Sequence, residues 1–212
     1  MKKILTLAFM LFCMTAVAQN RPTFIVQAGY QGANLTDAID VKMLHGFRAG
    51  VTVDYAFITL PTYELSLQTG LNYSMKGYWE ETHITTVGKV KSTNRLHYLD
   101  LPVLINSRFK LSDTFNAFVN VGPYIAYGLS GKYTVETKKG DKKTDEGNLF
   151  KGSGDEKSKL HPFDFGAQVG VGVEMNRIML GVGTQYGLAK LLRDSGRSAK
   201  NISFYASVGY RF

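Results

Sequence analysis

Along most of the chain, apolar and polar side chains alternate with a period of two. In Tyr63 to Lys76, one face reads Tyr63, Leu65, Leu67, Thr69, Leu71, Tyr73 and Met75, and the other Glu64, Ser66, Gln68, Gly70, Asn72, Ser74 and Lys76. A helix would scatter the two sets around its circumference, whereas a strand separates them. Seven further segments sort the same way. Their apolar faces begin with Phe24, Val26, Ala28 and Tyr30, then Phe47, Ala49, Val51, Val53 and Tyr55. Leu99, Leu101, Val103 and Ile105 mark the next, followed by Phe115, Ala117, Val119, Val121, Ile125 and Tyr127. The last three carry Phe163 to Val173, Ile178 to Leu188 and Ile202 to Phe212 at every second position. Each segment is close to the ten residues with which a tilted strand crosses a bilayer. The pattern predicts an all-β protein, an eight-stranded antiparallel up-and-down transmembrane β-barrel.

The predicted connections alternate in length. Those near 32–44, 77–94, 129–161 and 189–200 are long, and those near 57–62, 110–113 and 175–177 are tight. Outer-membrane barrels show this order, with long loops outside the cell and short turns in the periplasm. The loop at about 129–161 contains the polar runs 138–143 and 152–157, so it is expected to be mobile.

Three features turn the apolar face toward lipid rather than toward a packed core, as in a lipocalin-like barrel. The polar face is rich in glycine, including Gly29, Gly50, Gly70, Gly122, Gly166, Gly170, Gly172, Gly181 and Gly183, which suits a narrow interior. Aromatic residues gather at both strand ends, and Tyr30, Tyr55, Tyr63, Tyr73, Tyr127, Tyr186 and Tyr210 read as interfacial girdles. Tyr210 and Phe212 end the chain in the manner of the assembly signal of bacterial outer-membrane barrels.

The first residues add an address. Lys2 and Lys3, an apolar run from Ile4 to Thr15, and Ala16-Val17-Ala18 have the three parts of a secretory signal, so residues 1–18 are expected to be cleaved and 19–212 to form one domain. Cys13, the one cysteine of the chain, lies in that leader, which leaves no disulfide framework. The net charge of +8 would fall to +6 with the loss of the two lysines. For an exported protein this surplus points to anionic headgroups rather than nucleic acid.

At Tyr98-Leu99-Asp100-Leu101-Pro102, Gly122-Pro123-Tyr124, Asp164 with Gly166, Gly170-Val171-Gly172-Val173-Glu174 and the Ala18-Gln19 junction, the sequence resembles the outer-membrane β-barrel domain proteins of Bacteroidetes. These are the porin-family or PorT-like proteins, with a barrel like the OmpA transmembrane domain. The resemblance covers essentially all of 19–212. It implies fold and location, namely a multi-pass barrel of the Gram-negative outer membrane exported through the general secretory route, and it transfers little activity.

Candidate chemistry is sparse. His45, His83, His97 and His161 form no metal spacing, and His97, Ser92 and Ser74 fit no Ser-His-acid pattern, so neither catalysis nor a cofactor or metal is expected. The inward charges Arg48, Asp54, Glu64, Lys76, Asp100, Asp164, Glu174 and Arg211 are the better candidates. Inside a narrow barrel they must pair or stay hydrated, which favours a plugged lumen and a structural or surface-interaction role. A narrow ion or small-solute path remains the alternative, followed by a secretion or assembly component or a lipid-modifying enzyme. Pro102 and Pro123 lack a ladder donor within strands and are expected to mark bulges. Lys89, Lys91, Arg95, Lys190, Arg193, Arg197 and Lys200 could meet lipopolysaccharide phosphates. The expected partners are outer-membrane lipids, lipopolysaccharide and, during biogenesis, the barrel assembly machinery.

Overall fold

In the computed structural model, residues 22–36, 41–84, 88–137, 142–145, 149–150, 160–191 and 199–212 are described. The expected leader, 1–18, lies outside them. The strands are β1 (Thr23–Leu35), β2 (Val41–Thr59), β3 (Tyr63–Ile84), β4 (Gly88–Lys110), β5 (Phe115–Thr137), β6 (Lys142–Asp145), β7 (Phe163–Met175), β8 (Ile178–Gly187) and β9 (Asn201–Arg211). Every pairing is antiparallel, in the order β4-β3-β2-β1-β9-β8-β7-β5, and β4 pairs with β5 to close the ring. The closed eight-stranded up-and-down barrel predicted from the alternation is the observed fold. The short β6 stands outside the ring and pairs back on β5 at 133–136.

The two faces sort as their polarity requires. Phe24, Val51, Val121, Leu180 and Val208 are 48–56% exposed on the outer wall, part of a continuous apolar belt far larger than a water-facing surface carries. Gln31, Arg48, Asp54, Ser66, Asn72, Lys76, Asp100 and Asn106 are at most 2% exposed inside. Among the described residues no helix is long and apolar enough to cross a membrane; the crossing is made by strands.

The three predicted tight turns occur where expected, and at the last of them Asn176 takes a left-handed φ of 57°, a conformation that asparagine tolerates. The long connections differ from expectation. β3, β4 and β5 are 22, 23 and 23 residues long, about twice what a crossing needs, and β3 and β4 stay in register out to Ile84 and Gly88. Much of what the sequence marks as loop at 77–94 and 129–137 is therefore strand, standing beyond the membrane. The polar runs 138–143 and 152–157 lie mostly outside the described residues. Leu149, Phe150 and Leu160, from the same connection, are buried against Tyr98, Tyr124, Leu96 and Leu191. These side chains form an apolar roof over the outer mouth, so this stretch has more to bury than its polar runs suggest.

The bulges fall elsewhere than at the prolines. Pairing around Pro102 (with Tyr124) and Pro123 (with Ala167) keeps its register, and the Thr69 hydroxyl donates to the Pro102 carbonyl at 2.8 Å. Each proline thus costs a ladder donor without inserting a residue. Register shifts occur between Met43 and Arg48, Ala56 and Ile58, and His97 and Tyr98.

Candidate functional site

The lumen is built in layers, because alternate residues of eight strands project into a space wide enough only for side chains. At the inner end, Arg108 of β4 is the hub. Its Nη1 lies 2.7 Å from Glu64 Oε1 of β3, and its Nη2 lies 3.2 Å from Glu174 Oε2 of β7 and 3.5 Å from Asp54 Oδ2 of β2. Arg211 of β9 reaches the same three carboxylates at 3.2 Å (Glu64), 3.5 Å (Glu174) and 3.8 Å (Asp54). Two guanidiniums and three carboxylates from five strands leave this layer one negative charge in excess.

Above it lies a layer that the sequence reading did not foresee. Ile25, Phe118 and Met179 pack together inside the barrel, with Leu104 also buried. All four occupy inward positions of otherwise polar faces, so apolar contact crosses the lumen where charge was expected.

The middle layer contains Arg48, whose guanidinium lies 4.0 Å from the centre of the Tyr205 ring. Gln168 donates to the Tyr205 hydroxyl at 3.2 Å, and Gln185 donates to Gln168 at 2.9 Å. Glycine makes room here: a Cβ at Gly183 would stand 2.4 Å from the Tyr205 hydroxyl oxygen and one at Gly170 2.8 Å from it. Arg48 is paired with no carboxylate among the described residues, and its Nε and Nη1 lack hydrogen-bond partners. It borders a cavity of about 40 Å³, shared with Gln27, Gln68, Asn120, Gln168 and Tyr205, which is room for one or two waters.

At the outer end, Lys76 Nζ pairs with Asp100 Oδ1 at 3.3 Å, both side chains fully buried. The ammonium also stands 4.7 and 5.2 Å from the rings of Tyr124 and Tyr98. Asp100 Oδ2 accepts from Ser74 at 2.9 Å and Gln185 at 3.3 Å. Asp164 is held by neutral donors, Asn201 at 3.0 Å and Tyr124 at 3.2 Å. The apolar roof closes this layer from outside, with Phe150 edge-on to Tyr98.

All eight sequence-nominated lumen charges therefore point inward, but they form two separate clusters with Arg48 alone between them. Arg108 was missed. It shares the alternation of Asp100, Pro102, Leu104 and Asn106, and that parity was the available signal. Tyr98, Tyr124 and Tyr205 were missed as lumen residues because aromatic rings were assigned to the outer wall.

The nominated girdle tyrosines do face outward. At the outer end Tyr30, Tyr127 and Tyr186 are exposed, Tyr30 hydrogen-bonds His45, and Tyr73 hydrogen-bonds His97 while packing on Phe47. At the inner end Tyr63 packs on Phe109 and Tyr210 on Phe212, whereas Tyr55 is half-buried. The Phe212 amide donates to the Phe24 carbonyl at 2.9 Å, continuing the β1 seam. Ser74 and Ser92 point to the lumen side, where Ser92 meets the Tyr133 hydroxyl, while His97 points outward. These three residues do not come together. His161 is partly buried, and the His83 side chain lies outside the description. Among the described residues no three of His, Cys, Asp and Glu converge to hold a metal.

Strand order, lipid-facing wall and charged lumen define the class: a small β-barrel of the outer membrane. The chain belongs to the outer membrane protein β-barrel domain family, which it matches over residues 17–193. Among solved structures it is similar to the outer membrane protein OprG from Pseudomonas aeruginosa, with 12% identity, 90% of this chain and 95% of that one covered, and a TM-score of 0.45. It is also similar to Ail, the attachment invasion locus protein of Yersinia pestis (12% identity, 91% and 100% covered, TM-score 0.40), and to the outer membrane enzyme PagL (13%, 88% and 98%, 0.44). No curated protein sequence matches the chain.

Proposed function

We propose that this outer-membrane barrel is a closed, non-catalytic scaffold that presents its extended outer hairpins at the cell surface for interaction. One observation carries the reading: the lumen is stopped in succession by the Arg108 cluster, the Ile25-Phe118-Met179 layer, the Lys76–Asp100 layer and the roof around Phe150. The cavity left between them is too small for a hydrated ion to pass. The test is single-channel recording of the purified protein in planar bilayers. A silent membrane is expected, and reproducible current steps abolished by neutralising Arg48 or Glu64 would overturn the plug.

The alternative, a narrow ion path, draws its support from Arg48, a lumen cation beside a small cavity that is paired with no carboxylate among the described residues. Incubation with labelled phospholipid or lipopolysaccharide tests the non-catalytic half of the proposal, since released acyl chains would contradict it.

Export by the general secretory route with removal of residues 1–18 is part of the same proposal, supported by the leader pattern. So is membership of the Bacteroidetes PorT-like branch. Its support is that the motif residues Tyr98, Asp100, Tyr124, Asp164 and Glu174 are among those that fill this lumen.

A further inference from the structure

Just above the outer girdle, the outer wall of the β4–β5 pair contains an arrangement that a water-facing sheet avoids. Arg95 of β4 stands directly opposite Lys132 of β5, and both side chains are exposed. Among the described residues neither is paired with a carboxylate. Like charges in register across an antiparallel pair repel. The other cross-strand neighbour of Arg95 is Gly77, which has no side chain to intervene. The acids of this face, Glu81 and Glu136, are in register with Lys91, four residues farther out.

Height decides what the pair can meet. Two residues below Arg95 on the same face is His97, joined to the Tyr73 hydroxyl of the girdle. Two residues farther down is Leu99, opposite Tyr127, and these are 38% and 56% exposed on the lipid-facing wall. At about 3.3 Å per residue along a strand tilted by about 40°, the backbone of the two cations stands roughly 10 Å above that of Tyr73 and Tyr127, which are in register with Leu99. Arginine and lysine side chains are long enough to carry their charges down from there into the headgroup layer, above the hydrocarbon. Higher on the same wall, Lys42 and Lys91 lie 4.7 and 4.4 Å from the Trp79 ring centre.

We propose that Arg95 and Lys132 together seat a phosphate group of an outer-leaflet lipid, whose acyl chains run down the wall at Leu99, Ile125 and Tyr127. The phosphate supplies the anion that the register withholds. The guanidinium fork suits a phosphate held from two sides, and the apolar strip directly below selects a lipid over a free anion. The proposal rests on the outer-membrane placement and on the surface role, and is independent of whether the lumen conducts.

The test uses the full-length mature protein in zwitterionic detergent, with diphosphoryl lipid A as probe and its dephosphorylated form as the comparison. Binding is followed by native mass spectrometry and by the rise in unfolding temperature. The Arg95→Gln/Lys132→Gln double variant should bind diphosphoryl lipid A about thirty-fold more weakly, on the scale of one surface contribution per lost cation. Without lipid it should be at least as heat-stable as the parent, because the repulsion has gone. Inorganic phosphate should leave the parent's unfolding temperature unchanged. Equal weakening by Lys110→Gln/Arg177→Gln on the inner rim, equal affinity for the dephosphorylated lipid, or equal stabilisation by inorganic phosphate would each overturn the proposal. A conducting but lipid-binding protein would overturn only the closed-lumen reading.

Discussion

Arg48 and Arg108 are the same residue type in the same lumen with opposite settings, and their substitutions should differ accordingly. Arg108 holds Glu64, Asp54 and Glu174 together. Its removal strands buried carboxylates, which costs about 3–5 kcal/mol where one partner of a buried pair is lost. Arg108→Met should therefore lower the urea midpoint of the detergent-solubilised barrel strongly, and Arg211→Met less, because that side chain is 15% exposed and its loss leaves Arg108 in place. Among the described residues Arg48 touches no carboxylate, and two of its nitrogens have no hydrogen-bond partner. Replacing a poorly compensated buried ion by an apolar side chain of similar length is often neutral or stabilising, so Arg48→Met should leave the midpoint unchanged or raise it. At this scale the sequence was legible by parity, which put eight charges on the strand face that lines the lumen. It could not say that Ile25, Leu104, Phe118 and Met179 share the inward face as an apolar layer, because alternation sorts positions and not the neighbours they meet across a barrel.

At the scale of the element, the strands that overrun the membrane escaped the sequence reading for a physical reason. Beyond the headgroups neither face of a hairpin borders lipid, so both can be polar and the period-two contrast fades, as in Glu80, Glu81, Thr82 and Lys91 to Asn94. The extension depends on one unusual backbone position. Gly77 has a φ of 138°, and a Cβ there would stand 2.0 Å from the Asn94 carbonyl oxygen. Gly77→Ala should cost roughly 1–3 kcal/mol of local strain. The expected readout is faster tryptic cleavage at Lys91 in intact outer membranes, with the barrel itself still resistant. Tyr78, in the same hairpin, packs against the roof, and burial first, then Glu80 and Tyr133, pushes its phenol up from near 10 to about 12. The stabilisation tied to its neutral form is complete below pH 10. It declines above that as the unfolded chain loses the proton first, and it is spent near pH 12. Phenolate absorbance of the parent minus that of Tyr78→Phe should show this late titration.

For the molecule as a whole, strand number and lipid-facing wall were readable, since both follow from alternation, but the hand-over of long and short connections was not, because β3 and β4 run on to Ile84 and Gly88 where a long loop was expected. The roof was not, because Leu149, Phe150 and Leu160 are isolated apolar residues in a polar stretch, and their meeting with Tyr98 and Leu191 is a matter of three-dimensional closure. A fully paired ring leaves no strand edge from which detergent can unravel it. The membrane-extracted protein should therefore migrate faster on denaturing gels before boiling than after, and unchanged mobility would contradict the closed ring.

Closure has one more consequence, set by where Arg211 sits. It lies on β9 opposite Ile25 of β1, and it reaches the inner cluster only once these two strands have paired. Until then, among the described residues, only Arg108 faces Asp54, Glu64 and Glu174, and a half-built cylinder carries a surplus of two negative charges at its inner end. The strand that closes the ring thus brings the second cation, which halves that surplus, so electrostatic attraction favours the β1–β9 seam and marks a sealed barrel apart from an open one.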